Sequence, residues 1–145
     1  MSKRRTILFL LLVMIGVFAF GVYVLILGFT EDLYFKKWSI AHVFFTPSFI
    51  EHLPRPQMIG DVVYYHSCGD GPKPMAEGLS FESNASKDEI LNQFDKYLSQ
   101  NGYVKDPGAA DFLDYQYSKN GTTFYFSVQA IGSDRNRVVA QECYF

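Results

Sequence analysis

Charge is missing from this chain between Arg5 and Glu31. A stretch without Asp, Glu, Lys or Arg has no polar face, which excludes an ordinary surface helix of a soluble domain. Cysteine is scarce, with two residues in 145, and tryptophan occurs once. With two cysteines and neither a CxxC nor an HxxxH spacing, the usual zinc frameworks are excluded. Gly69-Asp70-Gly71 lacks the lysine and helix start of a phosphate loop and runs into Pro72-Lys73-Pro74, so it reads as a turn. A basic excess is also missing. Residues 58–145 hold seven basic side chains against twelve acidic ones, a net of −5. That balance excludes the electrostatic footprint of a nucleic-acid binder. No internal repeat or low-complexity tract is present.

What the chain does have is hydrocarbon. Ile7 to Phe29 is almost unbroken apolar sequence. Roughly 20 apolar residues at 1.5 Å each cross a bilayer core of about 30 Å. The run exceeds a signal-peptide core of about 7–15 residues, and no small-residue cleavage site follows it. It reads as a transmembrane helix over 7–29, a permanent anchor in the lipid bilayer. Lys3, Arg4 and Arg5 precede it and favour a cytoplasmic segment 1–6, although Lys36 and Lys37 on the far side temper the bias. Residues 58–145 are then expected in the periplasm or outside the cell, tethered to a bacterial inner membrane. Cys68 and Cys143, an even pair in a small exported domain, suit a disulfide there. Two separate buried thiols are the alternative.

After the anchor, Leu33, Tyr34, Trp38, Ile40, Ala41, Phe44 and Phe45 fall on one side of a helical projection. Asp32, Lys36, Ser39 and His42 fall on the other. The spacing predicts one amphipathic helix over 31–45, either along the headgroups or beneath the domain. Thr46-Pro47 breaks it, Ser48 to Leu53 makes a further helical turn, and Pro54 and Pro56 stiffen a tether. Residues 30–57 are thus expected as a juxtamembrane helical segment.

The domain itself begins near Met58. Residues 61–67 and 78–83 have strand composition and alternation. Ser86 and Glu89 form a capping box before a helix over 87–100, with Ile90, Leu91, Phe94, Tyr97 and Leu98 as its apolar stripe. Asn101-Gly102 stops it. A short strand at 103–105, a turn at Asp106-Pro107-Gly108, and strands over 112–118, 122–131 and 137–145 follow. Asn120-Gly121 marks a hairpin. The order β-β-α-(β)-β-β-β predicts an α+β domain of two layers, one amphipathic helix on an antiparallel sheet. The S-x-x-E-I-L start at Ser86 to Leu91, the K-Y-L-x-x-N-G-Y stop at Lys96 to Tyr103 and the meander after it resemble small extracytoplasmic domains of bacterial membrane-anchored proteins and lipoproteins. That resemblance covers about 60 residues, and it implies a fold and a compartment, not a reaction.

Chemistry-bearing constellations are few. His66 and Cys68 sit two apart, the spacing of one strand face, so a thiol nucleophile beside an imidazole is the enzyme reading. His66, Cys68, Asp70 and Cys143 are the only metal set. Tyr64, Tyr65, Tyr115, Tyr117 and Tyr125 either line a small core or offer a contact surface. By alternation, Tyr125, Ser127 and Gln129 face away from Phe124, Phe126 and Val128, and are expected as a partner surface. The composite reading is a non-catalytic binding module for an envelope or secreted protein, with no cofactor. An immunity-type protein that blocks a toxin at the membrane is the alternative, and a Cys/His enzyme a third.

Overall fold

A computed structural model describes residues 3–69, 72–107 and 115–144. The chain forms two compact units, Met1–Thr30 and Glu31–Phe145. The first is the helix α1 (Lys3–Gly28). Within it, Thr6–Gly28 is long and apolar enough to cross a membrane, and none of it is buried. A long helix that is apolar all round and unburied has the character of a membrane span. The architecture is that of a membrane-tethered α+β domain.

Among the described residues the second unit has seven strands: β1 (Leu33–Lys36), β2 (Met58–Ser67), β3 (Met75–Ser83), β4 (Val104–Lys105), β5 (Tyr115–Lys119), β6 (Thr122–Ala130) and β7 (Asn136–Tyr144). They form one sheet in the order β1-β2-β3-β7-β6-β5-β4, and every neighbouring pair is antiparallel. The described residues of this unit also form three helices: α2 (Ile40–Phe45), α3 (Ser48–Glu51) and α4 (Lys87–Gln100). The expectation of a single packed helix is therefore too simple.

Local chemistry explains most boundaries. The Ser86 hydroxyl accepts from Glu89 N–H at 3.2 Å and caps α4. The Glu89 carboxylate accepts from Gln57 Nε2 at 3.0 Å, which ties the helix start to the chain before β2. Gly102, at φ +83, ends α4 in the left-handed conformation that glycine adopts cheaply. Asn120 and Gly121 both take positive φ and close the β5–β6 hairpin. The expected strand over 112–118 is seen from Tyr115 onward; residues 112–114, and Gly108 of the expected turn, lie outside the described residues.

The segment 31–45 departs from its helical expectation. Leu33 to Lys36 pairs with Val63 to His66 as an edge strand, and only Ile40–Phe45 is helical. Phe35 stacks on Tyr64 with ring centroids 6.0 Å apart, and that burial favours extended chain over a helix. The proline stretch is not a free tether either. Leu53 and Pro56 are buried, and the Pro56 carbonyl accepts from the Ser83 hydroxyl at 2.6 Å.

All three helices of this unit contact one face of the sheet. Phe94 of α4 stacks on Phe126 at 4.7 Å, and Phe49 of α3 meets Phe124 edge-on at 5.8 Å. On α2, His42 meets Tyr64 at 4.5 Å, and Phe45 stacks on His66 at 4.8 Å. The register puts Tyr64, Leu79, Ala140 and Phe126 in one cross-strand row, and His66, Glu77, Glu142 and Phe124 in the next. These rows, with Ile90, Phe94 and Leu98 above them, form the core.

Candidate functional site

The opposite face of the sheet carries a different row. Tyr34, Tyr65, Gly78, Gln141, Tyr125 and Gln116 pair in sequence from β1 to β5. Because side chains alternate along a strand, these six share the face that α2, α3 and α4 do not touch. Gly78 sits at the centre. A Cβ there would lie 2.3 Å from the Ala140 carbonyl oxygen and 2.9 Å from Gln141 Cα, so only glycine lets β3 approach β7 this closely. The missing side chain leaves a groove of about 310 Å³ flanked by Tyr34, Tyr65, Val63, Ser80, Val139 and Gln141. The Tyr34 and Tyr65 rings lie 5.1 Å apart and form one wall.

Charged pairs frame this surface. Asp32 accepts from the Tyr65 hydroxyl at 2.9 Å and from Lys73 Nζ at 2.8 Å. The Lys73 hydrogen bond, then that of Tyr65, holds the Asp32 carboxyl below its ordinary range. Lys36 pairs with Asp61 at 2.9 Å, and Arg135 and Arg137 each reach Glu82 at 3.6 Å. Exposed pairs of this kind add little stability, but they set the polar rim around an uncharged centre.

The expected surface triplet lies on this face but is not uniformly accessible. Gln129 is exposed, Tyr125 is half-buried, and Ser127 is buried at 5% exposure. Of the five strand tyrosines, Tyr65 and Tyr125 face this way, whereas Tyr64, Tyr115 and Tyr117 face the core. Tyr34, Gly78 and Gln141 are not among the surface residues that the sequence points to. Tyr34 falls in a stretch whose spacing predicts a helix, and the role of Gly78 depends on a strand pairing 63 residues apart, Gly78 with Gln141 on β7, that no local pattern signals.

The disulfide is overturned: Cys68 and Cys143 are both free. The sheet order gives the reason. Ala76 of β3 pairs with Ser67 on one side and Cys143 on the other, so a whole strand separates the two cysteines. Two strand spacings come to about 9.6 Å, beyond the roughly 7 Å between Cα atoms that a disulfide spans. Burial, then the neighbouring Glu142 charge, raises the Cys143 thiol above its ordinary pKa. Nor do His66 and Cys143 meet, since they lie on opposite faces. Asp70 is outside the described residues, and among those described no group of three His, Cys, Asp or Glu has the geometry of a metal site.

Beneath the helices lies a second polar cluster. The Glu142 carboxylate, 7% exposed, accepts from the hydroxyls of Tyr103 and of Tyr144, the latter at 2.7 Å. Glu77 is its cross-strand neighbour, and His66 Nδ1 lies 3.5 Å from Glu77 Oε1. Burial first, and the Glu142 hydrogen bond second, raise both tyrosines well above their ordinary pKa. This arrangement gives a buried carboxylate the donors it requires. The chain matches no family model, no curated protein and no solved structure.

Proposed function

We propose that this chain is a non-catalytic binding module of a bacterial envelope. In this reading α1 anchors it in the inner membrane, the N-terminus is cytoplasmic, and the α+β domain is exported. The resemblance of residues 86–103 and the following meander to extracytoplasmic domains of membrane-anchored proteins supports that compartment. The observation that carries the binding role is the Tyr34–Tyr65–Gly78–Gln141–Tyr125 row on the sheet face away from α2, α3 and α4. Tyrosines supply large contact area at low entropic cost, and a neutral grooved centre with a charged rim is the anatomy of a protein interface. The partner expected is an envelope or secreted protein.

Site-specific photo-crosslinking in intact cells tests the reading. A photoreactive residue at Gln129 should yield one discrete protein adduct, and the same residue at Lys96 on the outer side of α4 should not. Tyr65→Ala and Tyr125→Asp should abolish the adduct while the melting temperature changes little. Equal crosslinking from both faces, or an adduct indifferent to both substitutions, would discard this surface.

A further inference from the structure

The turn between β1 and α2 places a side chain where the backbone resists it. Ser39 N–H donates to the Lys36 carbonyl at 3.3 Å, which closes a turn whose third residue, Trp38, has φ +66. Glycine ordinarily takes that position, because a bulky side chain is strained there. The occupant is the single tryptophan of the chain, and it is 82% exposed. Neither burial nor backbone preference within the domain accounts for it. Strain of this kind is characteristic of functional contacts.

The neighbouring residues extend the same surface. Helix α2 buries Ala41 and His42 and leaves Ile40 43% and Val43 69% exposed. Three residues apart, these two share a helix face. A surface helix normally turns polar side chains to water, and α2 turns apolar ones. Lysines border the patch: Lys37 Nζ lies 5.3 Å from the Trp38 ring centroid, and Lys36 is paired with Asp61. An exposed indole beside lysines and an apolar helix face is the composition that settles at the boundary between headgroups and acyl chains. Ten residues separate Trp38 from Gly28, the end of α1. That length of chain spans at most about 36 Å, so a membrane holding α1 is within reach of the patch. The tether also keeps the local concentration of interface high enough for a weak contact to persist.

We infer that Trp38, Ile40 and Val43 form a second membrane contact, which seats the domain on the lipid interface of the bilayer that α1 spans. The inference rests on α1 being a membrane anchor. Because Trp38 is the only tryptophan, its fluorescence reports the contact directly. The full chain, reconstituted in vesicles of phosphatidylethanolamine and phosphatidylglycerol, should lose most of its tryptophan emission when the acyl chains carry bromine. Aqueous iodide should quench it little. Val43→Asp should restore iodide access without lowering the melting temperature in detergent. Free quenching by iodide with no effect of brominated lipid, in vesicles that retain the protein through an alkaline carbonate wash, would overturn the inference and leave the anchor standing. Protection from both quenchers would also overturn it, since protein and not lipid would then cover the indole. Loss of the protein in the wash would remove the anchor reading and this contact together.

Discussion

Glu142 shows how one buried side chain recruits its surroundings. Its carboxylate lies beside Glu77 on the neighbouring strand, a like-charge pairing that sheets normally avoid. The hydroxyls of Tyr103 and Tyr144 compensate by donating to it. Tyr117 repeats the pattern with Asp95 of α4 at 2.9 Å. In all three tyrosines burial, assisted by the carboxylate, raises the folded-state pKa above the ordinary 10.0. The folded state therefore favours the neutral phenol. Their contribution to stability is complete below pH 10 and is lost as the pH rises toward the folded-state values. Stability in detergent should fall above about pH 10, by up to about 1.4 kcal/mol per pH unit for each tyrosine. Thermal unfolding between neutral pH and pH 12, followed together with tyrosinate absorbance, checks this. A flat profile, or tyrosinate appearing near pH 10 before unfolding, would count against the network. The tyrosines were visible in the sequence as strand residues; their acceptors were not, because Glu142 lies 39 residues from Tyr103.

Among the elements, α4 is the one written most completely into local sequence. Its observed bounds match the expectation over 87–100, because cap, apolar stripe and glycine stop all lie within one short stretch. The β5–β6 hairpin was equally legible from Asn120-Gly121. The strand pair β3–β7 was not, and the two cases predict different costs. Ser86→Ala removes one capping acceptor and should cost about 1 kcal/mol. Gly78→Ala drives a methyl into the Ala140 carbonyl, which is fixed in the middle of the sheet. It should cost about 3 kcal/mol or more, since backbone has to move. Chemical denaturation of the two variants side by side measures the difference. A Gly78→Ala variant as stable as the parent would show that β3 and β7 have room to spare, and the groove would lose its explanation.

For the molecule as a whole, the asymmetry of the sheet matters most. The α4 connection carries the chain from β3, in the middle of the sheet, to the β4 edge, and β5, β6 and β7 return it to the other side of β3. With α4 committed to one face, α2 and α3 pack beside it, which leaves the tyrosine row uncovered by them. If the anchor reads as proposed, a reporter that works only outside the cytoplasm should be active when fused after Phe145. Activity from a cytoplasm-only reporter there would reverse the topology. The sequence by itself determined the apolar span, the compartmental charge bias, α4, the hairpin and the alternation that separates Phe124 and Phe126 from Tyr125. Each of these depends on residues within about one element, where spacing and propensity act directly. Only the tertiary structure decided that Leu33 to Lys36 is an edge strand, that a strand stands between Cys68 and Cys143, and that Gly78 opens a groove. Those outcomes depend on which strands become neighbours, a property of long-range pairing that local periodicity does not encode.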